Sequence, residues 1–126
     1  VRQFQEERGQ ELVIAIDCGR RMGATTAVAL EGRGRARALG AWSKLDHALD
    51  AALVLAAVAL EHGDRVGVLA FDARVRVFDP PARGRDRLAR LRDLLHAEEP
   101  AELESDLARA LRELGLRHRR RATVVV

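Results

Sequence analysis

The sequence predicts an α/β fold of three layers, a mostly parallel sheet with helices on both faces, and three observations predict it. Segments with strand-like and helix-like patterns follow one another as strand, long loop, helix, strand, hairpin, helix, helix, strand, the order of a sheet whose connections cross over it. The first strand-like segment, Leu12 to Ile16, is a short apolar run rich in β-branched residues and closed by Asp17 and Gly19, as suits a strand buried on both faces and ending in a polar loop. The chain has 126 residues, 48% of them hydrophobic, which is one domain's worth of material and enough to bury roughly two-thirds of its unfolded surface.

Each later element has its own signal. Residues 22–42 carry Gly23, Gly32, Gly34 and Gly40 among alanines and arginines with no sustained period, so a long flexible loop is expected there. Ser43 and Asp46 form a variant capping box, and Leu45 through Leu60 then reads as a helix that Gly63 ends. That helix is apolar nearly all round and calls for cover on more than one side. Val66 to Phe71 is the second strand, opened by Asp64 and Arg65. The short Asp72-Ala73 link predicts a hairpin into an antiparallel third strand, in which Val75 and Val77 point inward between Arg74 and Arg76. Asp79-Pro80-Pro81 is expected to end that strand, and proline places it at an edge. Leu88, Leu91 and Leu95 make one stripe with Arg85, Arg87, Arg90 and Arg92 off it, an amphipathic surface helix. Ser105 is read as the cap of another helix, with Leu107, Leu111 and Leu114 facing inward. The basic run Arg117 to Arg121, with His118 inside it, reads as a solvated helix end, where cations are favoured, and leads into a last strand at Ala122 to Val126.

Composition excludes several function classes. There are 22 Lys+Arg against 19 Asp+Glu, a formal net charge of only +3. The sequence pI of about 10.3 comes from arginine, since Lys44 is the only lysine, and guanidinium groups stay charged into alkaline solution. With no strong basic field and no aromatic residue accompanying the basic run, nucleic-acid binding is not expected. The single Cys18 forms no internal disulfide, and a cytoplasmic setting is expected. Ala51 to Leu60, the longest near-continuous apolar run, falls well short of the roughly 20 residues that cross a bilayer, so no membrane contact is expected of this stretch. The chain opens on Val1 and stops inside a β-branched run with no turn signal, which reads as a single incomplete domain of a longer protein, one with room for a membrane anchor outside it.

Ligands of open α/β sheets bind beyond the carboxyl ends of the strands, which makes Asp17 the most informative residue. Its plainest role is to accept from nearby backbone amides or to pair with Arg20 or Arg21; the plainest role of Ser105 is N-capping. His47, His62, His96 and His118 lack the paired spacing of zinc sites and read as helix-surface residues. Cys18 is the only candidate nucleophile. Beside Arg20 and Arg21 its pKa would fall, so an enzyme with a reactive thiol at the sheet edge is the alternative to a binding module. No histidine lies near it in sequence, Asp17 has no second acid two residues on, and no Gly-rich phosphate loop occurs.

Three stretches, Leu12-Val13-Ile14-Ala15-Ile16-Asp17, the helix opening Ser43-Lys44-Leu45-Asp46, and Gly63-Asp64-Arg65-Val66-Gly67-Val68-Leu69-Ala70-Phe71, together resemble the bacterial domain of unknown function 58 family, whose fold is von Willebrand factor type A-like. The resemblance covers most of the chain, the loop at 22–42 least. It implies the strand order 3-2-1-4 and a partner-binding module that works alongside a MoxR-type AAA+ ATPase in assembly or chaperone-like processes. Type A domains hold a divalent cation with an Asp-x-Ser-x-Ser loop, a threonine from a second loop and an aspartate from a third. Here the loop reads Asp17-Cys18-Gly19-Arg20-Arg21, so Gly19 and Arg21 stand where the hydroxyls would be. Ser105, in Glu104-Ser105-Asp106-Leu107, matches the threonine position. The resemblance thus implies a degenerate metal site at Asp17 and Ser105, no bound magnesium, and a partner-binding surface at Asp17, Arg20, Arg21, Ser105 and Asp106. An apolar fourth strand left at the sheet edge would also pair with another copy, giving a homodimer through residues 122–126.

Overall fold

The structure is a computed structural model that describes residues 9–25 and 42–126. Strand β1 (Glu11–Asp17) is followed by a 3-10 turn (Arg20–Gly23), helix α1 (Lys44–Glu61), strands β2 (Arg65–Phe71) and β3 (Val75–Ala82), helices α2 (Arg87–His96) and α3 (Leu107–Arg117), and strand β4 (Thr123–Val125). The sheet order is β3-β2-β1-β4. Strand β1 runs parallel to both β2 and β4, and β3 is antiparallel to β2, so the predicted α/β fold and its strand order are those observed.

Two cores lie on the two faces of the sheet, as the twofold alternation of strand side chains requires. On one face Ile14, Ile16, Val66, Val68 and Ala70 meet Leu45, Leu49, Ala52, Ala56 and Ala59 of α1 and Leu91 and Leu95 of α2. On the other, Val13, Ala15, Leu69 and Phe71 are covered by Ala110 and Leu114 of α3. Each fully buried side chain of this size contributes roughly 1.5–3 kcal/mol, and the central strands carry most of them.

Helix α1 starts as the sequence predicts: Ser43 Oγ accepts from the Asp46 amide and Asp46 accepts from the Ser43 amide. Its second cover is not found among the described residues, where Val54 and Val58 are 66% and 49% exposed. The predicted flexible loop at 22–42 falls largely outside the described residues. Its first members do not fit that reading: Met22 packs against the core, Gly23 closes the 3-10 turn, and Thr25 bridges to Ser43.

Strand β3 departs from expectation in two places. It does not alternate simply, because Phe71 pairs with Val75 while Ala70 pairs with Val77. The extra residue, Arg76, is a bulge that sends Val75 and Val77 to opposite cores. Nor does Asp79-Pro80-Pro81 end the strand, which continues to pair Ala82 with Val66 across a second bulge. Gly67 permits this, since a Cβ there would lie 2.6 Å from Asp79 O and from Pro81 N. The carbonyls displaced from the ladder are taken by Arg87, whose Nε donates to Val66 O (2.9 Å), Nη2 to Pro80 O (2.8 Å) and Nη1 to Asp79 Oδ2 (2.7 Å). Arg87 is therefore buried, while Leu88, assigned to the inward stripe, is 38% exposed.

Helix α3 is rotated from its predicted phase. Ala110 and Leu114 are its buried residues, and Leu107 and Leu111 are exposed. Its N-cap is Asp106, which accepts from the Arg109 amide, and not Ser105. His118, read as a helix-surface residue, instead follows the helix, half-buried, with Nε2 2.7 Å from Glu11 Oε2. Part of the basic run is thus neutralised, with Arg120 also near Glu11 and Arg117 near Glu113. Among the described residues no helix is long and apolar enough to cross a membrane.

Candidate functional site

Asp17 is the last residue of β1, and the β1–β2 ladder runs one bond further, from Cys18 N to Phe71 O at 2.7 Å. The chain then turns sharply through the 3-10 turn, with Met22 N donating to Gly19 O. A second segment, between α2 and α3, is fastened over this turn by two backbone bonds, Ala101 N to Cys18 O (2.8 Å) and Arg20 N to Leu103 O (2.9 Å). A third bond, Asp106 N to Asp72 O (2.8 Å), fixes its far end to the β2–β3 link. These three bonds carry Ser105 to Asp17 across 88 positions of sequence.

The Ser105 hydroxyl donates to Asp17 Oδ1, which also accepts from the Gly19 amide at 2.8 Å. Gly19 is tightly enclosed: a Cβ there would run into the Ser105 hydroxyl and lie 3.0 Å from Asp17 Oδ1. Around this pair is a cleft of about 270 Å³ lined by Asp17, Arg20, Arg21, Glu104 and Ser105. Four of the five predicted partner-binding residues therefore share one cleft. Asp106, the fifth, caps α3 and does not line it.

The charges are arranged differently from the sequence reading. Arg20 pairs with Glu104 and not with Asp17. Arg21 is exposed and makes no side-chain hydrogen bond or ion pair among the described residues, so the predicted Asp17–Arg21 pair is not formed. Glu104 was missed by sequence reasoning, although it adjoins Ser105 in the same segment; acidic neighbours of a site residue were the available signal. Of the histidines, His47, His62 and His96 are exposed, and His62 Nδ1 lies 3.0 Å from Val58 O.

Cys18 points away from the cleft into the α1-side core and is fully buried. Burial, and then the nearby Glu98 carboxylate, push its pKa up to about 11, with Arg76 the only opposing influence. The expected lowering by Arg20 and Arg21 does not occur, because those guanidiniums face solvent and the thiol does not.

A divalent cation needs several converging oxygen ligands, as a rule carboxylates, hydroxyls and waters. Here Gly19 offers none, Arg21 offers only donors, and the Ser105 hydroxyl and Asp17 Oδ1 are engaged with each other. No cluster of three or more His, Cys, Asp or Glu suited to a metal occurs among the described residues. The residues present do not fit magnesium.

A family model described as "Protein of unknown function DUF58" matches residues 1–126. No curated protein matches the chain.

Proposed function

The chain belongs to the family of proteins of unknown function DUF58, and from that membership together with the cleft over Asp17 we propose that it is a protein–protein interaction and scaffolding module, not an enzyme. The observation that carries this reading is the convergence of two segments, far apart in sequence, on a polar and partly open cleft. The chain's one thiol, Cys18, is buried with a raised pKa and points away from the cleft. The partner in this reading is a MoxR-type AAA+ ATPase, the process is assembly or chaperone-like work, and the compartment is the cytoplasm. The cleft works without a metal cofactor.

The test is a pull-down with the full-length protein, comparing the natural sequence with Glu104→Trp, which places bulk at the rim of the cleft from an exposed position. A MoxR-type ATPase retained by the former and lost from the latter, at unchanged melting temperature, is the expected result. Equal retention by both proteins, or failure of such an ATPase to bind either, overturns the reading.

A further inference from the structure

We propose that residues 97–106 form a strap that lifts off the fold as one unit, taking the cleft apart and uncovering the Cys18 thiol, and that Arg76 is its latch. This goes beyond the partner reading and stands whether or not an ATPase docks at the cleft.

The strap has no apolar anchor of its own. None of residues 97–106 is buried, and Leu103, its only large hydrophobic residue, is 56% exposed. Apart from Pro100, which rests against Gly23, it is fastened by polar groups. These are the three backbone bonds that tie it to the turn after β1 and to the β2–β3 link, the Ser105–Asp17 and Arg20–Glu104 contacts, and the Arg76 side chain. A segment with few buried apolar contacts sits at the low end of local stability and opens while the core stays folded. The helices at its two ends keep their own packing, α2 through Leu91 and Leu95 and α3 through Ala110 and Leu114.

Arg76, the bulge residue of β3, joins three parts of the molecule. Its Nη1 donates to Glu99 O (2.8 Å), its Nη2 lies 3.3 Å from Glu98 Oε2, and its Nε lies 3.9 Å from Asp72 Oδ2. The closure is incomplete, since Glu98, with a side chain only 8% exposed, has no hydrogen bond on Oε2 despite that ion pair. A buried carboxylate oxygen left so is costly, and water supplies the missing bond once the strap lifts. Glu98, Glu99, Glu102, Glu104 and Asp106 also repel one another, with no base among residues 97–106.

Cys18 lies beneath. Its carbonyl accepts from Ala101 N, and the Glu98 carboxylate is near enough to act on its thiol. Lifting removes that carboxylate and admits water, so the sulfur gains access and thiolate character together. The same motion carries Glu104 and Ser105 out of the cleft. The cleft therefore exists only while the strap is shut, and whatever binds it there holds the strap down.

The test uses the whole chain, whose single cysteine fixes the labelling site. Methyl methanethiosulfonate, small and neutral, converts the thiolate to a methyl disulfide and releases methanesulfinate; mass spectrometry follows this at pH 8 in urea below the unfolding transition. Dividing the rate by that of the urea-unfolded chain gives the fraction open. That fraction should stay level in low urea and turn upward only near the transition. Arg76→Gln should raise the level branch roughly five- to thirtyfold and Arg76→Lys by less. Val13→Ala, in the opposite core, should move the transition and leave the level branch in place. In hydrogen exchange the amides of Arg20, Ala101 and Asp106 should share one opening constant, equal to that of Cys18 labelling. Labelling that follows global unfolding at every urea concentration, a gain in Arg76→Gln no larger than its loss of global stability, or separate constants for the three amides overturns the proposal. None of these measurements needs a partner, so the strap and the partner reading fail separately.

Discussion

The Cys18 thiol, enclosed by the α1-side core with the Glu98 carboxylate nearby, is held protonated well above its ordinary pKa of 9.0, at about 11. A raised acid pKa means that the folded chain keeps a proton which the unfolded chain gives up. Its contribution to stability is therefore complete below pH 9 and is lost as pH rises through 11, an effect on the order of 2 kcal/mol. The sequence makes this unusually clean to measure, since there is no tyrosine, arginine does not titrate in this range, and Lys44 is the only lysine. Urea midpoints between pH 8 and 11 should decline in the natural protein and stay nearly level in Cys18→Ala; parallel decline would remove Cys18 as the cause. Asp17 was legible as a candidate because a strand end marks it in the sequence, whereas Ser105 came only from the resemblance, its own pattern reading as a helix cap; the two share the cleft. The direction of the Cys18 side chain was not legible, since it depends on how the turn after β1 leaves the sheet. Nor was the pairing of Arg20, which needed Glu104 brought from another loop.

Strand β3 shows how an element can break the rules for its kind and remain ordered. Proline removes ladder donors, yet β3 runs through two prolines, because an edge strand needs donors on one side only and the bulge at Gly67 absorbs the misfit. The carbonyls left over would cost about 1–3 kcal/mol each if buried unpaired, and the Arg87 side chain meets two of them along with Asp79. Arg87→Met should therefore lose about 3 kcal/mol in urea unfolding, since it leaves two carbonyls of the bulge without a donor and Asp79 with only the exposed Arg90, 3.1 Å from its Oδ2. Arg87→Lys should recover only part of this, having one head group for three acceptors. A loss below about 1 kcal/mol in Arg87→Met would mean that water replaces the guanidinium at little cost. From the sequence Arg87 was one of four arginines off an apolar stripe, and only the bulge distinguishes it. Helix α3 was legible as a helix but not in its rotation: its leucines allow more than one phase, and the observed one sets the small Ala110 against the sheet. Capping, by contrast, was legible for α1, because Ser43 and Asp46 act within one turn.

For the molecule as a whole, the order of strands was legible from the resemblance and the hairpin, but the completeness of the cover was not. Among the described residues strand β4 pairs only with Leu12, Val13 and Ile14, and its valines are more than a third exposed. Beside it an apolar groove of about 310 Å³ runs between the sheet and α1, lined by Ile16, Met22, Ala51, Leu55, Val125 and Val126 among others. We infer self-association through this edge, two β4 strands meeting antiparallel about a twofold axis, which uses both edges and leaves none to propagate. Light scattering at micromolar concentrations should give a dimer for this chain and a monomer for Val124→Lys; a monomer in both would end the idea. The enclosure of Gly19 by Ser105 and Asp17 reaches further than stability. It couples two positions 86 apart in sequence in the sense that a side chain gained at 19 turns the Ser105 hydroxyl away from Asp17. Gly19→Ser should therefore disturb the cleft before it adds a ligand to it, because its Cβ takes the place of the Ser105 hydroxyl and breaks the Ser105–Asp17 bond.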